Sequence, residues 1–273
     1  MHPESPASPG LRPIDERPRR RAPRVLVTAG PTREPIDAVR FLSNRSSGRM
    51  GVALALAAAA RGWPTTLAHG PLAATVAASF ESPTASGSSL SRAPFESTAD
   101  LEQLLRRHWP SHDILLMAAA VSDHRPVVSP ADLRTKRRRL DGPFSLELEP
   151  TPDLLAQLVA LTRPDQLVIA FALEPAEGLI DSARAKLRRK GAAAIVANPL
   201  ETMDGETIDG SLILASAVLP NTDLSGTVLR ASDVLSPGGP LPKAEFAEWL
   251  LDRVGELHAQ RRGGTGRTYD ADR

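Results

Sequence analysis

The sequence predicts an α/β fold, a three-layer sandwich in which helices cover both faces of a mostly parallel sheet. Three observations predict it. Short apolar runs such as RVLVTAG (Arg24–Gly30) and QLVIAFALE (Gln166–Glu174) read as strands buried on both faces. Between such runs lie stretches with apolar residues three and four apart, the spacing of one helix face. The two kinds alternate along most of the chain, and helical crossovers between parallel strands account for that rhythm.

The elements follow in order. Met1 to Pro23 is rich in Pro and Arg with few aliphatic residues, so it is expected to be a disordered tail. Its RRRAPR run fits a solvated basic tail or a nucleic-acid patch. The folded part, 24–258, opens with the β-branched strand Arg24–Gly30. A helix from Ser47 to Arg61 is closed by Gly62 and followed by a strand at Thr65–His69. Pro83–Pro94 has loop composition. Ser97 or Thr98 can cap an amphipathic helix, Thr98–His108, which leads into a strand at Asp113–Val121. SLELEP (Ser145–Pro150) alternates like a half-exposed strand, and Pro152 suits the first turn of the helix PDLLAQLVALTR. The strand Gln166–Glu174, a helix ended by Gly191 and the strand Ala192–Asn198 continue the alternation. SLILASAV (Ser211–Val218) and TVLRASDV (Thr227–Val234) are two further strands, and PKAEFAEWLLDRVGELHAQ carries a closing amphipathic helix. Residues 259–273 are expected to be an unstructured tail.

Composition narrows the function classes. The 33 basic and 32 acidic residues leave a formal charge of +1, so nothing draws the whole chain to nucleic acid or to an anionic membrane. No apolar run approaches a membrane span, and the N-terminus lacks the apolar segment of an export signal, so a cytoplasmic location is expected. The chain has no cysteine, which excludes disulfides, a thiolate nucleophile and a thiolate metal site. A cysteine that takes part in the chemistry must arrive as substrate.

The densest chemistry lies between Gly30 and Gly51. A buried strand ends in glycine, a basic loop carries Arg33, Arg40 and Arg45, and Asn44-Arg45-Ser46-Ser47-Gly48 runs into an Ala/Leu-rich helix. Free amides and the dipole at such a helix start attract anions. The spacing is neither G-x-G-x-x-G nor the P-loop, so the residues alone fit an anion site or an ordinary solvated loop.

VRFLSNRSSGRMG (Val39–Gly51) resembles the signature of the phosphopantothenate–cysteine ligase family. Four further blocks resemble that family in the same order: MAAAVSDHRP (Met117–Pro126), TPDLLAQL (Thr151–Leu158), IAFALEP (Ile169–Pro175) and ARAKLRRKGAAAIVAN (Ala183–Asn198). The resemblance covers Arg24 to His258. It implies a Rossmann-like sandwich and an enzyme of coenzyme A biosynthesis that joins 4'-phosphopantothenate to L-cysteine. The implied co-substrate is CTP, with ATP as the alternative, together with Mg²⁺. The substrate carboxylate attacks the α-phosphate and expels pyrophosphate; the cysteine amine then displaces the nucleotide monophosphate. A homodimer is implied, with the two late strands as its candidate elements. A separate flavin-dependent decarboxylase is expected to act next, since no such domain precedes the first strand.

Site residues carry over by motif match. Asn44 matches the asparagine that handles the acyl-nucleotidylate, and Arg40 an anion-contacting arginine of the same block. Gly30, Ser46, Ser47 and Gly48 shape the phosphate loop. Ala118, Ala119 and Ala120 offer small side chains to a base or ribose, and Asp123 matches an acid that contacts the nucleotide or its metal. His124 stands at a variable position. Lys136 is the candidate for a mobile-loop lysine that neutralises charge at the α-phosphate, although LRTKRRRLDGP departs from the usual K-I-K-K, and Arg134 or Arg137 are alternatives. Thr151, Pro152, Asp153 and Leu154 replace the usual N-P-D-[IL] beside the nucleotide. Phe171 matches a phenylalanine near the base, and Lys186 and Lys190 match two lysines that meet the phosphates. Asn198 organises the site without direct contact. Two other classes compete: an oxidoreductase with a degenerate dinucleotide loop, and a non-catalytic nucleotide-binding relative. The first would need an acid closing the second strand, which ends Ala68-His69-Gly70, and a tyrosine acid, yet Tyr269 in the tail is the only tyrosine.

Overall fold

The computed structural model describes residues 21–81, 89–138, 142–216 and 233–264. The first strand, β1 (Val25–Ala29), leads through a hairpin, β2 (Arg33–Pro35) and β3 (Phe41–Ser43), into α1 (Arg49–Ala60) and β4 (Thr65–His69). Next come α2 (Ala74–Glu81), β5 (Leu90–Pro94), α3 (Thr98–His108) and β6 (Ile114–Met117). A second hairpin pairs β7 (His124–Pro126) with β8 (Leu148–Pro150). Then α4 (Leu154–Ala160), β9 (Leu167–Glu174), α5 (Leu179–Lys190) and β10 (Ala194–Pro199) resume the alternation. The chain closes with β11 (Thr207–Ile208), β12 (Ser211–Leu214), β13 (Val234–Leu235), β14 (Leu241–Pro242) and α6 (Lys243–Gly264).

Eight strands form one sheet in the order β13-β12-β10-β9-β6-β1-β4-β5. The six from β10 to β5 are parallel, and β12 and β13 are antiparallel additions. The α/β reading with a mostly parallel sheet therefore holds. From β1 the chain moves outward to β4 and β5, then returns to β6 on the other side of β1. Strand order reverses between β1 and β6, and in such sheets a crevice opens there at the carboxyl ends.

Alternation along each strand builds two apolar layers. Val25, Val27, Ile114, Leu116 and Ile169 pack against α1 and α6, while Leu26, Leu115 and Val168 pack against α3, α4 and α5. In α6, Phe246, Leu250 and Val254 recur at helical spacing and are fully buried. Truncating Phe246 to Ala would cost about 3–5 kcal/mol. Gly51 lets α1 sit directly on β1, because a Cβ there would lie 2.5 Å from the Ala29 methyl.

Several boundaries differ from expectation. The loop-like segment Pro83–Pro94 ends in a strand: β5 hydrogen-bonds along β4, and a half-exposed edge strand tolerates Ser and Arg. β6 stops at Met117 because the chain turns off the sheet there, where Ala119 donates to Thr28 Oγ1. The strand expected from Ser145 starts at Leu148. Helix α1 begins at Arg49, not Ser47, and α4 at Leu154, with Asp153 as its cap and Pro152 outside it. The closing helix continues to Gly264, so 259–264 is helical, and Arg261 donates to the Gln166 carbonyl. The tails expected at 1–20 and 265–273, residues 83–88 of the expected loop, 217–218 of SLILASAV and most of TVLRASDV lie outside the described residues. Within the basic tail, Arg21 makes a bidentate pair with Asp113 at 2.6 and 2.8 Å, because that carboxylate is buried at the foot of β6 and needs a cation. β12 is paired on both sides, with β10 and β13, so among the described residues β13 stands at this edge of the sheet.

Candidate active site

A cavity of about 860 Å³ opens at the carboxyl ends of β1, β6 and β9, where strand order reverses. Its first wall is the stretch from Ser43 to Gly51. Gly48 caps α1 in a left-handed conformation (φ 78°), and the helix has neither a side-chain cap nor an acidic residue in its first turn. Of its opening amides, that of Arg49 reaches back to the Ser47 hydroxyl at 3.4 Å, and the dipole at this helix start suits an anion. Asn44, on the approach to that turn, donates from Nδ2 to the Val121 carbonyl at 3.0 Å.

The second wall is the chain leaving β6. Ala119 and Ala120 spend their amides on Thr28 Oγ1 and the Gly30 carbonyl, both at 3.0 Å, so this wall offers small side chains at close quarters. Asp123 is exposed at its end, and its carbonyl accepts from the Thr151 amide at 2.9 Å. The Thr151 hydroxyl donates to the Ser122 carbonyl, which fixes the two segments to each other.

The floor is Phe171 on β9, and Leu154, from the apolar layer on the other face of the sheet, lines the same cavity. On α5, Lys186 pairs with Glu174 at 3.0 Å and Lys190 with Asp153. Burial pushes the Asp153 carboxyl up, but Lys190 and the Ala156 amide outweigh it and hold it below its ordinary value.

The wall opposite α5 is cationic. Arg49 donates to the Asp204 carbonyl at 2.9 Å, Arg45 pairs with the Asp204 carboxylate at 3.0 Å, and Lys243 donates to the Gly205 carbonyl at 2.6 Å. Burial, then repulsion from Arg49, pushes the Lys243 ammonium below its ordinary value. Thus three cations face one carboxylate here, whereas each α5 lysine has its own.

Asn44, Ser46, Ser47, Gly48, Ala118, Ala119, Ala120, Asp123, Thr151, Pro152, Asp153, Leu154, Phe171, Lys186 and Lys190 all line this one cavity. Three expected residues do not. Gly30 is buried beneath the wall, where its carbonyl receives the Ala120 amide and a Cβ would press on the Pro71 carbonyl at 2.9 Å. Arg40 turns to Asp37 at 3.0 Å, the nearest buried carboxylate. Lys136 sits in the loop between β7 and β8, outside the walls. Among the described residues no cluster of three His or acidic groups could cage a metal. The exposed carboxylate of Asp123 fits Mg²⁺, which commonly takes one or two carboxylates and fills its shell with phosphates and water.

The family model for the DNA/pantothenate metabolism flavoprotein C-terminal domain matches residues 21–220. The chain belongs to this family. The flavoprotein C-terminal domain match agrees with the family resemblance carried by the five sequence blocks. A prokaryotic protein named cysteine/cysteine sulfinic acid decarboxylase is 39% identical over 178 residues, 65% of this chain and 46% of that protein. The coenzyme A biosynthesis bifunctional protein CoaBC of Vibrio cholerae is 38% identical over 175 residues, 64% of this chain and 41% of its own length. The crystal structure of the C-terminal domain of a CoaBC protein superposes with a TM-score of 0.63 at 29% identity, over 87% of this chain and 96% of that one. The chain thus spans less than half the length of these curated relatives.

In this flavoprotein C-terminal domain, sequence reasoning missed Arg49, Asp204 and Lys243. The signals were modest: a second arginine in NRSSGRMG, the turn-forming Asp204-Gly205, and a lysine at the first position of a helix, where the dipole disfavours it.

Proposed function

We propose that this chain joins 4'-phosphopantothenate to L-cysteine at the expense of a nucleoside triphosphate, as a ligase of coenzyme A biosynthesis. The observation that carries the reading is convergence. Asn44, Asp123, Phe171 and Lys186 come from four separate segments and line one cavity beside the start of α1. CTP is the favoured nucleotide and ATP the alternative.

Charge gives the nucleotide a direction. The polyphosphate lies against the α1 amides, Arg49 and Lys243, and the base against Phe171 and the Ala118–Ala120 wall. Mg²⁺, held by Asp123 and the phosphates, would neutralise charge on the phosphate oxygens. The pantothenate carboxylate forms a bond to the α-phosphorus as the bond to pyrophosphate breaks. The cysteine amine then bonds to the acyl carbon, loses a proton, and the nucleotide monophosphate leaves. The remaining N–H of Asn44 can donate to the acyl oxygen as negative charge builds there.

A single-turnover assay tests this with 4'-phosphopantothenate, Mg²⁺ and either CTP or ATP. Pyrophosphate is expected before cysteine is added, and amide product without CO₂ afterwards. No pyrophosphate with either nucleotide would remove the ligase reading; product with ATP alone would reverse the nucleotide choice.

A further inference from the structure

The turn of the first hairpin holds a buried carboxylate that the cavity does not use. Asp37 is 3% exposed at its side chain. Its Oδ1 accepts the Val39 and Arg40 amides at 2.8 Å each, which folds the turn upon itself. Its Oδ2 accepts Arg40 Nη1 at 3.0 Å and, from 100 residues away, the Arg137 amide at 3.3 Å. Two more bonds bridge the same elements. The Ala38 amide donates to the Thr135 carbonyl at 3.0 Å, and Arg40 Nη2 to the Arg137 carbonyl at 3.1 Å. Arg137 also lies over the Phe144 ring, 4.4 Å from its centroid.

These bonds pin the backbone on both sides of Lys136 and leave its side chain exposed. We propose that Asp37 is a positioning residue. With Arg40 it docks the cationic loop Thr135–Arg137 on the first hairpin, so that only the Lys136 side chain has to move toward the reacting phosphate. The catalytic half of this inference rests on the ligase reading; the docking half does not. A loop tethered near its working position loses less chain entropy on reaching the transition state than one that must be ordered from solution. Such a dock lowers the barrier without improving ground-state binding, so its loss belongs in kcat and not in the nucleotide KM.

The test uses the full chain with Asp37→Asn, which turns one acceptor into a donor facing Arg40 and Arg137, and Arg40→Gln, at a half-exposed site, as a second variant. Limited trypsin digestion without substrates, mapped by mass spectrometry, reads the dock through cuts after Arg134, Lys136, Arg137 and Arg138. Cleavage there is expected to quicken about tenfold in Asp37→Asn, with cuts elsewhere unchanged, because proteolysis follows the undocked population. Steady-state kinetics should show kcat down about tenfold or more with the nucleotide KM within about twofold. Unchanged loop cleavage in both variants overturns the dock. Faster cleavage with unchanged or raised kcat overturns the positioning role. A wild type that makes no amide product removes the ligase reading, while the digestion still judges the dock.

Discussion

Arg49 and Lys186 face the same cavity with different electrostatic standing. Arg49 donates to a carbonyl, so its charge is not cancelled by that contact; Lys186 is matched by Glu174 at 3.0 Å. An entering phosphate gains from Arg49 directly but must compete with Glu174 for Lys186. Arg49→Ala is therefore expected to weaken CTP binding by about tenfold or more, in the range of a charge-assisted hydrogen bond, and Lys186→Gln by less. Isothermal titration with CTP and Mg²⁺ measures both. A larger loss in Lys186→Gln would reverse the direction assigned to the nucleotide. At this scale the sequence was informative about membership of the site and poor about pairing. Asn44 and Phe171 could be placed because each sits in a motif beside a strand end. That Lys186 and Lys190 arrive already paired depends on Glu174 and Asp153, 12 and 37 residues away, and no local pattern encodes those contacts.

Elements buried on both faces declare themselves through composition, and elements at the rim do not. β1, β6 and β9 are continuous apolar runs and could be read directly. β2, β3 and β7 are three residues each, too short for any period to show. The foot of β6 carries a prediction. Burial pushes the Asp113 carboxyl up, but Arg21, the Arg24 amide and His258 outweigh it and hold it below its ordinary value. Burial likewise keeps the His258 imidazole below its ordinary value. The unfolded chain therefore takes up a proton at His258 below about pH 6.5, and at Asp113 below about 3.9, before the folded chain does. Stability is thus expected to be full at pH 8, to fall as pH drops below the histidine value, and to fall again below the carboxylate value. Asp113→Asn should cost about 1–3 kcal/mol at pH 8 by stranding the Arg21 and Arg24 donors, with a smaller difference at pH 3. Urea melts at pH 8, 5.5 and 3 check this; equal midpoints for wild type at pH 8 and 5.5 would contradict the histidine step.

For the whole molecule, the two hairpins carry a surface that the sandwich does not cover. Val39, Phe41, Val127, Leu133, Phe144 and Leu148 are large, apolar and exposed, and all lie on those hairpins or the loop joining β7 to β8. β2 packs beside β7, so the two hairpins are neighbours. Water-exposed apolar side chains gathered in one region mark an association surface, whereas scattered ones do not. We propose this surface as a second candidate seam for the homodimer implied by the family resemblance, beside the sheet edge at β13. Light scattering of the wild type at micromolar concentration should give twice the 29.1 kDa chain mass, and Phe41→Glu with Leu148→Glu should give the single-chain value. Phe41 lies between Arg40 and Asn44, so the same variant is expected to lose amide formation as it loses the dimer. A wild type of single-chain mass, or a double variant that stays dimeric, would rule this surface out as the seam.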